Sequence, residues 1–408
     1  MTATRTHNIK IMRILQLMKW LSSREDSGGK TRSFRLGKAL ASFARVDATG
    51  FALPEERIER EEEHLSQYSK LYPFPLQRAF CNPLVFLSGI ARGLSLRSAR
   101  FFVPSYNRFV ENILRENRYD AIQVEELPLI SSLGSLSMNY PVIYSSHNVE
   151  SQLSYIIFKR RNFILRFLSE TERRRTLSEE KRALALARAC LAVSEKDKEL
   201  LKGISSEGTT PIYVLPNCAS DRFKPSFQGF NGRGVLSVGC FGWYPNEEGI
   251  IWFIEEALPR LRKKMPSLEI TVAGSEISRS LVWKLKQSGI RIYPDAPDIL
   301  PFFQNARVLI VPLRIGGGTR IKIIEAWAAG LPVVSTSIGA DGLSCRPGVD
   351  IMVADDPDQF AGDIYRILTE EDLYGKLRLE GLNNATKLRW SGLAGSLEKI
   401  YRNCGVKS

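Results

Sequence analysis

Histidine is the scarcest chemistry-bearing residue in this chain of 408 residues. His7, His64 and His147 are too few for a histidine-rich metal cage. The six cysteines (Cys81, Cys190, Cys218, Cys240, Cys345 and Cys404) show no paired spacing. That pattern fits reduced thiols in a cytosolic protein better than a disulfide framework or a metal site. No apolar run approaches the roughly 18 residues of a membrane span, and Pro83 to Ile90 is the nearest. The opening MTATRTHNIKIMRILQLMKWL is interrupted by Lys10, Arg13, Gln16 and Lys19, so it reads as a first strand and not as a secretion signal. Zinc-finger spacing, an RNP-like aromatic motif and a homeodomain-like helix are all missing, which leaves nucleic acid the weakest of the anionic partners. No internal repeat or low-complexity segment breaks the chain.

What is present is a soluble composition, 44% hydrophobic and 25% charged, at a length that allows two α/β units with separate cores. The net charge of +13 is uneven. Residues 1–225 hold roughly 35 Lys/Arg against 24 Asp/Glu, and the remainder is nearly balanced. A basic first half suits an anionic partner, such as a phosphorylated acceptor or an acidic membrane surface.

The organising stretch runs from Val311 to Leu343, VPLRIGGGTRIKIIEAWAAGLPVVSTSIGADGL. It reads as a strand end, three glycines, a helix, a Gly-Leu-Pro stop and a second strand. A glycine-rich turn between strand and helix frees backbone N–H groups to converge, and the helix dipole favours an anion there. Gly316, Gly317 and Gly318 make the cradle; Thr319, Arg320 and Lys322 add a hydroxyl and two cations. Glu325, a turn further on, is placed to accept hydrogen bonds from a sugar or ribose. A plain strand-loop-helix corner shares the glycines; the cations and the carboxylate at one strand's carboxyl end favour a ligand. A second, weaker anion-ready corner opens the chain, with Gly28, Gly29, Lys30 and Arg32 in a loop before a helix over Phe34 to Phe43. His147, directly after the strand Pro141 to Ser145, can hydrogen-bond a sugar hydroxyl or assist proton transfer.

Two segments keep two readings open. Between Glu55 and Arg118, apolar and aromatic residues alternate with Arg78, Arg92, Arg97, Arg100 and Arg108, as on an interfacial surface or as core with solvated arginines. The helical region from Gln152 to Ala189 carries a basic cluster, Lys159 to Arg161, next to Phe158, Phe163, Ile164 and Phe167, either a membrane-surface element or an ordinary solvated face.

The run PLRIGGGTRIKIIEAWAAGLPVVST followed by IGADGL resembles the donor-nucleotide signature of family 4 (group 1) retaining glycosyltransferases. It is most similar to the exopolysaccharide-associated branch that writes Gly-Gly-Gly-Thr-Arg-x-Lys. The resemblance implies the GT-B fold: two Rossmann-like α/β domains with parallel sheets facing across a cleft. The implied units are an N-terminal acceptor-side domain at 1–226, a donor domain at 234–385 and a C-terminal helix at 386–408 crossing back to the first domain. It implies a hexosyl transfer from a nucleotide diphosphate sugar to a lipid-linked or saccharide acceptor in polysaccharide or glycolipid assembly, with retention. The enzyme would be cytoplasmic, with peripheral contact to an anionic membrane.

By resemblance, SSHNVES is the cleft histidine segment, Glu325 serves the ribose, and the Gly28–Gly29 loop approaches donor phosphates or acceptor. The family's usual glutamate, separated by seven residues from Glu325, falls here at Gly317; the usual Asn-Gly is Asn217-Cys218; the first loop of the donor domain lacks its Arg and Lys. Cation duty is therefore assigned to Arg320 and Lys322. No metal or other cofactor is expected, because these cations can stabilise the leaving diphosphate and no Asp-x-Asp pair lies in either cleft loop. A nucleotide-sugar epimerase, with Glu125 and Glu126 as its cleft carboxylates, and a non-catalytic sugar-nucleotide scaffold are the alternatives.

Overall fold

A computed structural model describes residues 11–22, 25–52, 65–75, 83–161, 163–205, 210–225 and 232–406. Two all-parallel sheets form. The first has seven strands in the order β3-β2-β1-β4-β5-β6-β7: β1 Met12–Trp20, β2 Ala44–Ala52, β3 Lys70–Pro75, β4 Ala121–Glu125, β5 Val142–Ser145, β6 Ala189–Ala192 and β7 Ile212–Val214. The second has six in the order β10-β9-β8-β11-β12-β13: β8 Val235–Cys240, β9 Ile270–Ser275, β10 Arg291–Pro294, β11 Val308–Val311, β12 Val333–Ser335 and β13 Met352–Val353. Strands such as β4 (AIQVE) and β11 (VLIV) are buried along their whole length, because helices cover both faces of a parallel sheet. Each sheet accordingly has two apolar clusters, one per face.

In both sheets the strand order reverses once, between β1 and β4 and between β8 and β11. Ligands bind outside the carboxyl ends of strands at such switch points. The Gly28 corner follows β1, and the triple glycine follows β11, so both lie at a switch point. The linker expected at Phe227 to Arg233 falls mostly outside the described residues, as do Arg78 and the acidic Glu61 to Glu63. The final helix, Trp390–Asn403, sends Trp390, Leu397, Ile400 and Tyr401 into the core on one face of the first sheet. There the Tyr401 hydroxyl donates to Gln123 Oε1 on β4 at 2.6 Å.

Three local expectations change. Gly28 and Gly29 are not in a loop: the helix runs Gly28–Ala41, so both glycines occupy its first turn. Asn217-Cys218 needs no left-handed turn, since neither residue has a positive φ; Asn217 instead accepts from Arg32 and donates to Thr319. Arg97 is not simply a solvated arginine, because its guanidinium, though partly exposed, pairs with the buried Glu126 and Glu150.

Candidate active site

The second-domain corner forms where β11 hands over to the helix Ile321–Ala329, with Arg320 as its N-cap and Gly318 at φ 65°. Only glycine takes that left-handed conformation without cost. Arg320 is 6% exposed; one terminal nitrogen donates to the Gly317 carbonyl at 2.5 Å, while Nε and the other terminal nitrogen have no partner. Buried guanidinium groups without acceptors are costly, so this one is poised for an anion. Burial pushes Arg320 down to about 10, opposed by Asp341 and Asp197, so it remains a cation at neutral pH.

Lys322 Nζ donates to the Val238 carbonyl of β8 at 2.5 Å and to Asn246 Oδ1 at 3.0 Å. Burial, with Arg320 adding repulsion, pushes it down to about 7. Glu325, 7% exposed, is pushed up to about 8 by burial and by Glu25 of the first domain, against the opposing pull of Arg222, Arg35 and Lys322.

The first domain supplies the opposite wall. His147, 9% exposed, directs Nε2 at Glu125 Oε2 across 3.1 Å. Glu125 is fully buried at the end of β4, and its other oxygen accepts from Gln16 Nε2 at 2.8 Å and from Gln123. A carboxylate on one ring nitrogen fixes a neutral imidazole as Nε2–H, leaving Nδ1 as the acceptor. Nδ1 is buried without a partner. It lies 3.8 Å, and Glu126 Oε1 3.2 Å, from where a Cβ on Gly29 would stand. Burial alone would push Glu126 up, but Lys19, His147 and Arg97 hold it down to about 2. It accepts from Lys19 at 2.6 Å and from Arg97 at 3.0 Å.

The two walls meet. A Cβ on Gly318 would stand 2.5 Å from the His147 carbonyl oxygen and 2.7 Å from Asn148 Oδ1; on Gly317 the nearest atom, Asn148 Oδ1, would be 3.6 Å away. Asn217 Nδ2 donates to Thr319 Oγ1 at 2.9 Å, and Lys196 pairs with Asp341 at 2.7 Å. The structure thus gathers Gly29, His147, Gly317, Gly318, Thr319 and Arg320. Gly316 backs onto the Arg320 guanidinium. Gly28 has open space around it, Lys322 is turned towards β8, and Glu325 looks towards Glu25 and Arg35. The sequence assigned no contact to Asn148, Asn217 or Asn246, although Asn148 follows the histidine directly and Asn217 stands in the Asn217-Cys218 departure from the family's Asn-Gly.

The two facing parallel sheets make this a GT-B structure. Anabaena HepE, solved in complex with UDP and glucose, superposes over 96% of this chain and 99% of its own with a TM-score of 0.67 at 13% identity. Sucrose-phosphate synthase from Thermosynechococcus elongatus gives 0.71 at 17% identity, over 96% of this chain and 98% of its own. Residues 232–370 match the family described as glycosyl transferases group 1, a stretch that includes the triple-glycine corner. Among curated relatives, a 44.6 kDa protein in the cps region of Klebsiella pneumoniae is 28% identical over 184 residues, 43% of this chain and 45% of that protein. D-inositol 3-phosphate glycosyltransferase of Thermobifida fusca is 26% identical over 118 residues, 28% of this chain and 27% of that enzyme. The matches thus span less than half the length of these two relatives.

Proposed function

We propose that the protein is a glycosyltransferase that moves a hexosyl group from a nucleotide diphosphate sugar to a lipid-linked or saccharide acceptor in polysaccharide or glycolipid assembly, with retention of configuration. The observation that carries this is the Arg320 guanidinium, buried at a glycine-rich helix start with two nitrogens unpartnered. As the nucleoside diphosphate departs, charge develops on its β-phosphate. Preorganised donors aimed there lower the barrier, commonly by a few kcal/mol each. Arg320, Lys322 and the amides after Gly316, Gly317 and Gly318 fill that role, with Thr319 held by Asn217. Glu325 receives the ribose, and His147 Nδ1 accepts from a sugar hydroxyl, kept in that tautomer by Glu125.

In this reading residues 1–226 form the acceptor side and residues 234–385 the donor side. The helix in 386–408 ties the chain's end to the first domain. Charge neutralisation comes from the chain's own cations, without a metal. The protein works in the cytoplasm against an anionic membrane face; among the described residues no helix is long and apolar enough to cross a membrane. The epimerase alternative asks for free carboxylates, yet Glu125 is engaged by His147, Gln16 and Gln123, and Glu126 by Lys19 and Arg97.

Thermal melts with UDP, GDP, ADP, dTDP and CMP test the donor assignment, because a bound ligand raises Tm by mass action. A rise with one diphosphate that disappears in Arg320→Ala is the expected result, and that nucleotide's sugar is then offered in transfer assays. No rise with any of the five at millimolar concentration would overturn the assignment.

A further inference from the structure

From Ser151 to Ser169 the chain has no acidic residue and four cations, Lys159, Arg160, Arg161 and Arg166. This stretch spans the end of the helix Glu150–Arg160 and the start of the helix Phe163–Leu186. The Glu150 amide donates to Glu180, and Ser154 donates to Thr176 at 3.4 Å, so the helices run antiparallel and residues 159–168 lie towards the elbow end. The long helix buries Ser169, Glu172, Thr176, Glu180 and Ala183, one stripe at helical spacing. Phe163, Ile164, Phe167 and Leu168 fall on the opposite side, 73%, 71%, 71% and 42% exposed. Phe163 and Phe167 pack edge to face at 4.6 Å. Lys159, Arg160, Arg161 and Arg166 are exposed around them.

Four large apolar side chains directed away from the core at an elbow, flanked by four cations, with the nearest carboxylate, Glu170, paired to Arg173 and Arg174, match an interface with hydrocarbon below and phosphate beside it. A second copy of the same patch would bring like charges together. We propose that this elbow docks the protein on an anionic lipid bilayer. The proposal deepens the lipid-linked acceptor reading, and the geometry gives it a consequence. The Tyr244 hydroxyl, in the second domain, donates to the Arg160 carbonyl at 3.1 Å, and the Arg161 guanidinium lies 4.9 Å from the Tyr244 ring centroid. The docking elbow therefore touches both halves of the molecule, and docking would bring their junction to the bilayer.

The test is flotation of the full chain with phosphatidylglycerol/phosphatidylcholine vesicles and with pure phosphatidylcholine vesicles, at low and high salt. The variants are Phe163→Ser with Phe167→Ser, and Lys159→Glu with Arg166→Glu, which spare the two arginines against Tyr244. Expected is binding to the anionic vesicles only, weakened by salt. Each cation near the surface is worth about five-fold in partitioning, so the charge variant loses on the order of 25-fold or more and the phenylalanine variant on the order of tenfold. Unchanged melting in both variants shows that the fold is intact, and an unchanged nucleotide-induced rise in Tm separates this test from that of the donor corner. Binding that is equal on neutral vesicles, absent altogether, or unaltered in both variants overturns the proposal. So does an oligomer seen by light scattering that the phenylalanine variant dissolves, which would make the patch a contact between copies.

Discussion

The two glycine corners, one in each domain, use the same local grammar and differ in how their charges are settled. At the mouth of the first, Lys30 is paired with Asp26 at 2.9 Å, Arg35 with Glu25 through Nε at 2.7 Å, and Lys19 with Glu126 at 2.6 Å. At the second, Lys322 spends its donors on a carbonyl and an amide oxygen, with no carboxylate among its hydrogen-bond partners in the described residues; each corner also buries one arginine, Arg32 or Arg320, with two unpartnered nitrogens. Both corners lie at the switch point of a parallel sheet, so topology does not distinguish them. The run of three glycines and Lys322 do, and on the reading proposed above they place the anion at the second corner and leave the first to line the site with Gly29 and to supply, from β4 and β5, the Glu125–His147 pair.

The sharpest way to break that comparison is to remove the buried arginine of the second corner. Arg320→Ala should lower kcat/KM by about 10²–10³, whereas neutralising Lys30, already paired, should cost less than about threefold; equal losses in a transfer assay would erase the distinction. Next come the glycines at the contact between walls. Gly318→Ala meets both a positive φ and the His147 carbonyl, and should cost tenfold or more in kcat/KM together with about 1 kcal/mol of stability, while Gly317→Ala, with 3.6 Å of clearance, should be nearly silent in both measurements.

A comparable loss, about ten- to a hundredfold in kcat with KM little changed, is expected for Glu125→Gln. The amide NH₂ can donate to Nε2 and move the ring proton to Nδ1, a change that ¹⁵N spectra of the imidazole would show directly.

Acidity offers a gentler probe. Lys322, at about 7 in the folded chain and near 10.5 when free, is penalised when charged. The folded state gains stability from it as pH rises from 7 towards 10.5, and a diphosphate must bring a proton with it above pH 7. Nucleotide affinity should therefore fall by up to about tenfold per unit above neutrality, and Lys322→Arg should flatten that slope in titration calorimetry. Glu325 works the other way: its pKa is raised from 4.5 to about 8, so its cost is absent below 4.5 and complete above 8. Glu325→Gln should raise Tm by a few degrees at pH 9 and leave it unchanged at pH 4.5. The smallest effect is expected at Gly28, where nothing lies within 4 Å: Gly28→Ala should stabilise by no more than about 1 kcal/mol in denaturant melts and leave transfer unchanged.

The second domain was legible because its signals are local. Apolar β11, three glycines and the cations follow one another between Val308 and Lys322. The first domain hides more. β2 has Asp47 and Thr49 fully buried, contrary to the apolar pattern of a central strand. They are engaged from afar, Asp47 through one oxygen by Arg13 at 2.8 Å and Tyr119 at 2.8 Å, Thr49 by the Tyr72 carbonyl at 2.9 Å. β3 contains Pro73 and Pro75, permitted because it is an edge strand. Arg97 looked like one more surface arginine until Glu126 and Glu150, 29 and 53 residues away, drew it inward. Glu125 as partner of His147 rests on the pairing of β4 with β5, which brings two distant strand ends side by side. Charge that is settled by distant residues leaves no trace in a window of sequence.

The seam where Gly318 leans on the His147 carbonyl also bears on tempo. Backbone meets backbone there, since a Cβ on Gly318 would stand 2.5 Å from the His147 carbonyl oxygen. On the donor reading proposed above, a nucleotide held at that corner would come and go only as this contact opens, so the pace of the cycle would be bounded by how often that gate swings as well as by how readily the sugar–phosphate bond breaks.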